Sequence, residues 1–334
     1  MRKEKSAVTK ILVIYHGRCA DGTCAAWCAD LYFRGMEDVE IEYYPAKHNE
    51  PPPYNRIAKA NRTYILDFCY QREDLLKIAE MTKLQVIDHH KSAEDQCHGL
   101  DFCEFDMDRS GAGMSWDHFF PEVARPWFVD YVETRDIWTW KYPNAKPALA
   151  FVDTLPIDIS TFDKLYYGEI THGDCVANGG AILAYIKQYN SETVNSSLRK
   201  ITFQDPNGNI HIDIPVVNTS HFGISELLNG IAEGYPFVLS YFKRNDGKYQ
   251  YSARVSDNSN FDVSKLAKSY GGGGHAKASG FTLDHELQEL PAPAPGQNWS
   301  PVDLPCECGR NGGSRHSCGK LRGLISPPQG HNWD

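Results

Sequence analysis

Three short apolar runs in the first hundred residues each end in a metal-ligand type of side chain. Ile11-Leu12-Val13-Ile14-Tyr15 runs into His16, with Asp21-Gly22 shortly after it. Tyr64-Ile65-Leu66 runs into Asp67, and Val86-Ile87 into Asp88-His89-His90. An apolar run of this length bounded by polar groups reads as a buried strand. The segments between the runs read as helices, Thr23 to Phe33 and Arg72 to Met81. Alternation of strand and helix implies a parallel sheet covered on both faces. In such a sheet the strand C-termini share one edge, and ligand sites form there. Carboxylates and imidazoles gathered at a buried edge are costly unless something pairs with them, and a divalent cation is the usual partner. The chain therefore predicts one polynuclear metal site at the edge of an α/β sheet.

The remaining elements divide the chain. Glu40–Tyr44 reads as a further strand, and Ser110–Phe120 and Pro126–Thr134 as helices. The aromatic residues Trp127, Phe128, Tyr131, Trp138 and Trp140 read as core packing. Asp174 to about Lys200 reads as one long helix that could join two domains. Strands follow at Lys200–Phe203, Ile210–Val217, Phe237–Phe242 and Tyr249–Val255, the last two joined by a turn containing Asp246-Gly247. A short helix over Asp262–Tyr270, the run Gly271–Gly274 and a strand near Ser279–Leu283 complete a second, smaller α/β domain. The predicted divisions are 8–165, 166–200 as a helical connector, 201–284, and a Pro- and Gly-rich tail over 285–334. The tail is too poor in aliphatic residues to offset ordering entropy. Its Cys306, Cys308, His316 and Cys318 follow no zinc-finger spacing.

The net charge of −9 argues against broad binding to long duplex nucleic acid, which needs basic patches. It is compatible with a small phosphorylated substrate held through metal ions. The ten cysteines are not spaced as in a small secreted scaffold, and the apolar runs are too short for a signal segment or a membrane span. The expectation is a cytoplasmic protein with its thiols packed as small apolar groups. The oligomeric state, including a homodimer, is left open.

The ligand types suit manganese or magnesium more than zinc, with manganese favoured where imidazole joins carboxylate. Asp67, alone at a central strand end, is the best candidate to bridge two ions. One further carboxylate is needed, and Asp130 and Asp136 are both available; Asp130 reads as a solvated helix residue. Ser110 reads as a helix N-cap. The glycines Gly271 to Gly274 could present backbone amides to a phosphate or form a flexible loop, and Arg254 could fork a terminal phosphate.

Taken in order, His16…Asp21-Gly22, Asp67, Asp88-His89-His90 and Arg135-Asp136 resemble the motifs of the DHH phosphoesterases. Gly271-Gly272-Gly273-Gly274-His275-Ala276…Ala278-Ser279-Gly280-Phe281 resembles the glycine-rich signature of their associated C-terminal domain. The resemblance spans roughly residues 8 to 284 and is nearest to members similar to nanoRNases and pAp phosphatases. It implies hydrolysis of phosphoesters in short oligonucleotides or small nucleotides, by water activated at two manganese or magnesium ions, in a cleft between the domains. By position, His16 and Asp67 would hold one ion, and Asp21, Asp67, His89 and Asp136 the other. Asp88 would orient the ligands, and His90 would face the substrate phosphate. Gly272, Gly273, Gly274, His275 and Arg254 would bind the substrate's far end. The family's first motif places two acids after the histidine, whereas this chain has Cys19 at the first of them. Polyphosphate cleavage, or a catalytically silent phospho-ligand binder, are the competing expectations.

Overall fold

The computed structural model describes residues 8–47, 50–220, 223–256 and 258–291. The chain divides into two compact units, one ending at Asn190 and the other beginning at Ser191. Among the described residues no helix is long and apolar enough to cross a membrane.

The first unit opens with β1 (Thr9–His16), α1 (Ala20–Phe33), β2 (Val39–Ala46), a single turn α2 (Tyr54–Ile57), β3 (Arg62–Leu66), α3 (Arg72–Met81) and β4 (Lys83–Asp88). It continues with α4 (Glu94–Cys97), β5 (Cys103–Phe105), α5 (Gly111–Phe119), α6 (Trp127–Asp136), α7 (Ala145–Val152) and α8 (Ile159–Tyr166). The five strands form one sheet in the order β2-β1-β3-β4-β5, and all neighbours are parallel. The apolar runs explain this placement. Strand side chains alternate between faces, so a continuous apolar run serves a sheet covered on both sides. Ile11 and Val13 of β1 join Tyr64, Leu66 and Ile87 in a core against the first face. Leu12 and Ile14 join Ile65, Leu84 and Val86 in a second core against the other.

Helix α1 is buried nearly all round, with Cys24, Ala25, Ala26, Cys28 and Ala29 fully enclosed. Its small residues allow close packing, and Trp27 between them lies in the core. There Trp27 stacks on Trp116 and meets Phe128 edge-on, while its Nε1 donates to Asp163 at 2.9 Å. The aromatic residues of α6 are structural: Phe128 and Tyr131 are buried and Trp127 packs against the same core; beyond the helix Trp140 also packs there, while Trp138 is exposed. The seven described cysteines are free thiols.

The second unit takes up the C-terminal turns of α9 (His172–Ser197), then β6 (Leu198–Gln204), β7 (Ile210–Asn218), α10 (Ile224–Ala232), β8 (Val238–Lys243) and β9 (Tyr249–Arg254). It ends with α11 (Val263–Ser269), β10 (Gly273–Gly274) and β11 (Ala278–Leu283). The sheet order is β10-β11-β9-β8-β7-β6, with only β7 and β8 parallel. The long helix therefore stops at Ser197, and the residues expected as its last turn open β6 instead. Residues just past Leu283, assigned above to the tail, belong to this unit. Leu287 is buried and its amide donates to the Tyr251 hydroxyl at 2.9 Å, and the Leu290 amide donates to the Thr202 carbonyl at 2.7 Å. Cys306, Cys308, His316 and Cys318 lie outside the described residues.

Candidate metal centre

Strand order sets the position of the centre. From β1 the chain crosses to β2 on one side and later to β3 on the other, so the C-terminal ends of β1 and β3 lie side by side where the order reverses. These ends, with that of neighbouring β4, carry His16, Asp67 and Asp88-His89-His90. Asp67 falls one residue past β3 and has a left-handed φ of 54°. A non-glycine residue holds that conformation only when its surroundings fix it, a recurrent property of functional positions. Asp21 stands in the first turn of α1, not in a turn before it, because the helix starts at Ala20.

Asp67 is 1% exposed, and neither of its carboxylate oxygens has a hydrogen-bond donor in place. Around it stand imidazole nitrogens: His89 Nε2 is 3.2 Å from Oδ1, His16 Nδ1 is 3.5 Å from Oδ2, and His90 Nδ1 is 3.8 Å from Oδ1. His89 Nε2 is also 3.3 Å from Asp136 Oδ2 and 3.8 Å from Asp21 Oδ2, and none of its carboxylate neighbours is aligned for a hydrogen bond. Three sets of side chains each offer ligand atoms lying within 4.8 Å of one another: His16, Cys19 and Asp67; Asp21, His89 and Asp136; and Asp67, Asp88, His89 and His90. All the metal candidates read from the sequence thus meet at one edge. Asp130 is elsewhere, 3.7 Å from the Arg125 guanidinium.

The electrostatics follow from crowding acids and imidazoles in a buried place. Burial works to raise the Asp67 carboxyl, but His16, His89 and His90 outweigh it and hold it below the usual carboxylate range. Burial lowers His89, yet Asp67, Asp21 and Asp136 more than compensate and push it up to about 9. Asp21 is raised by burial and by the charges of Asp67 and Asp136. The carboxylates favour the protonated form of the neighbouring imidazoles of His16, His89 and His90. Buried carboxylate acceptors without donors, set among imidazole nitrogens, fit divalent cations.

Supporting contacts fix this edge. Asp88 is buried, and its Oδ1 accepts from the amides of His89 and His90 at 2.8 and 3.2 Å and lies 2.7 Å from His90 Nδ1. It thereby sets the orientation of the His90 ring. His90, Asp88, Phe68 and Cys69 line a cavity of about 460 Å³. Asp21 Oδ2 and Oδ1 accept from the amides of Gly111 and Ala112 at 2.6 and 3.0 Å, so the acid also occupies the N-terminus of α5. Ser110 caps that helix, its Oγ accepting from the Gly113 amide at 3.1 Å. Gly111 has a strict reason to be glycine, because a Cβ there would lie 2.4 Å from Asp67 Cβ. The sequence marks the start of this helix at Ser110 but gives no sign of the part played by Gly111.

In the second unit, the run Gly271–Gly274 is partly a strand: Gly273 and Gly274 pair with Gly280 and Ser279 of β11. Gly274 has φ 136° and a close backbone neighbour, so a side chain is excluded twice over. His275 follows, its amide donating to the Ala278 carbonyl at 2.8 Å. Arg254 of β9 lies opposite Ala278 of β11, at the same end of the sheet. Its partly buried guanidinium donates to the Ala253 carbonyl at 2.9 Å and to Ser225 Oγ at 3.3 Å, and no carboxylate lies within 4.0 Å of it among the described residues. Burial lowers its pKa.

Comparison with known proteins agrees with this architecture. Residues 224–292 match the DHHA1 domain. An uncharacterised protein of Acanthamoeba polyphaga mimivirus is 30% identical over 292 residues, covering 81% of this chain and 67% of its own length. The oligoribonuclease NrnB of Bacillus subtilis (strain 168) is 26% identical over 310 residues, covering 83% of this chain and 74% of its own. A crystal structure of an exopolyphosphatase-related protein from Bacteroides fragilis has a TM-score of 0.47 at 14% identity, covering 85% and 89% of the two chains. The chain belongs to the DHH family of phosphoesterases, with the DHHA1 domain as part of its second unit.

Proposed function

We propose that this protein hydrolyses phosphoester bonds in short oligonucleotides or small nucleotides with manganese or magnesium. The observation that carries the reading is the Asp67 carboxylate, buried and without a hydrogen-bond donor among His16, His89 and His90. His16 and Asp67 would hold one ion; Asp21, Asp67, His89 and Asp136 would hold the second. Divalent ions held there supply Lewis-acid charge to a phosphoryl group and acidify a water. The protein's own part is positional. Asp88 fixes the ring of His90 beside the cavity, where a protonated imidazole donates to a phosphoryl oxygen. The α5 amides hold Asp21 against the edge, so the site is organised before substrate arrives.

The second unit would supply further phosphate-binding groups. Arg254 is a partly buried cation with no carboxylate within 4.0 Å among the described residues, which suits an anion. The amides around Gly272, Gly273 and Gly274, and His275, stand at the same end of that sheet. The likeness to an oligoribonuclease and the net charge of −9 both support short substrates over long duplexes.

The test is product release with manganese from a panel of short RNA and DNA oligonucleotides, cyclic dinucleotides, pAp and polyphosphate. Turnover of the nucleotide substrates, lost on chelation and restored by manganese, is the expected result. Hydrolysis of polyphosphate alone would change the substrate class, and no metal-dependent release from any member would overturn the reading. Arg254→Ala and His275→Ala are each expected to raise KM roughly tenfold or more, since a charge-assisted phosphate contact is worth about 1.5–3 kcal/mol. Metal content should stay at the wild-type level in both. Loss of metal with unchanged KM would assign these residues to the wrong site.

A further inference from the structure

We propose that Cys19 is a metal ligand, and that the position formed by His16, Cys19 and Asp67 takes a thiol-binding divalent cation such as zinc, iron(II) or cobalt(II) in preference to magnesium. The inference rests on the metal-dependent reading above and concerns the identity of one of its ions. Geometry carries it. The Cys19 sulfur, a His16 ring nitrogen and an Asp67 oxygen lie mutually within 4.8 Å. Asp67 is 1% exposed, and its oxygens face this group without a hydrogen-bond donor.

The backbone delivers the thiol there. Between β1 and α1, Arg18 takes a left-handed φ of 61°, and Cys19 follows as the extended N-cap residue of α1. Across that turn the ligand atoms of His16 and Cys19 lie within 4.8 Å of one another.

Donor chemistry then separates the two metal positions. One nitrogen, one sulfur and one carboxylate oxygen form a set suited to zinc and its neighbours in the transition series. Magnesium demands oxygen ligands and dehydrates reluctantly. The second group, Asp21, His89 and Asp136, contains no sulfur and suits a harder ion. The pair is thus chemically unequal, and the chain is expected to hold two different metals when both classes are available. Binding at the first position forms a metal–sulfur bond and breaks the S–H bond, the proton passing to solvent.

Anaerobic titration of the metal-free full chain with cobalt(II) tests this without reference to turnover. The wild type is expected to develop a near-ultraviolet sulfur-to-cobalt charge-transfer band. The band should vanish in Cys19→Ser and in Cys19→Asp and persist in Cys69→Ser. Zinc should abolish it by displacement, and magnesium should not. Cys19→Asp should instead bind manganese more tightly than the wild type. Cobalt should also protect Cys19, but not Cys69, from alkylation of the wild-type chain followed by mass spectrometry, which keeps the test valid if a variant fails to fold. Cobalt binding without the band, or a band that survives loss of Cys19, overturns the thiolate assignment and leaves the hydrolase reading standing. No cobalt or manganese uptake by dialysis would overturn both.

Discussion

Asp67→Ala is expected to abolish metal-dependent hydrolysis, with at least a thousandfold loss of kcat and loss of bound metal. The carboxylate is the one acid within reach of His16, His89 and His90 together, so its removal takes a ligand from both proposed positions. Removing a charge-stabilising group at a reacting centre costs about 2.7–4 kcal/mol in kcat, and a shared ligand costs more because two ions depend on it. Folding should be little affected. In the metal-free protein, burial of the Asp67 carboxylate opposes folding and the imidazoles of His16, His89 and His90 offset it. Thermal melting of the chelated variant should therefore stay near the wild-type value. Near-wild-type turnover at saturating manganese would refute the assignment of Asp67 as the shared ligand.

Gly111→Ala is expected to be nearly as damaging by a different route. A methyl group at this position would lie 2.4 Å from Asp67 Cβ and 2.8 Å from its Oδ1. Neither neighbour can yield cheaply. Asp67 is fixed by a left-handed backbone at the end of a central strand, and Gly111 starts a helix packed against α1. Overpacking of this kind costs about 1–3 kcal/mol, so the melting temperature should drop by several degrees. The accompanying shift of α5 moves the amides that hold Asp21, and metal affinity should fall along with stability. Calorimetric metal titration beside thermal melting measures both; an unchanged melting point with full metal binding would show that α5 can move aside.

How much of this could be read in the sequence depends on whether the signal was local. The strands β1, β3 and β4 are apolar runs, and a run buried on both faces announces itself through composition alone. Helix α3 has the bounds Arg72–Met81 that its spacing predicts. Helix α10 was legible but passed over: Ile224, Leu227, Leu228 and Ile231 repeat at helical spacing and are all buried. β5 has three residues and exists because β4 offers it an edge, a cause no local pattern records. The two-residue strand β10 similarly depends on pairing with β11, so its glycines read as a loop. At the centre itself, residue types and strand ends were legible, whereas the meeting of Asp21 with the Gly111 amide joins residues 90 apart in the chain. Its nearest local sign was the Ser110 cap, which marks where α5 begins and not what its amides face.

The grip of the α5 amides on Asp21 gives the centre a built-in clock. The two hydrogens that Gly111 and Ala112 donate can exchange with deuterated solvent only when that carboxylate lets go, because both bonds are buried. Their exchange rates therefore count openings at a place where cation and fold share an acid. Occupancy by manganese should slow both hydrogens together, by a factor set by the metal's concentration over its dissociation constant. Amides at the far end of α5 should keep their own pace. Equal slowing along the whole helix would mean that the ion steadies the unit globally, and that Asp21 is not the hinge between them.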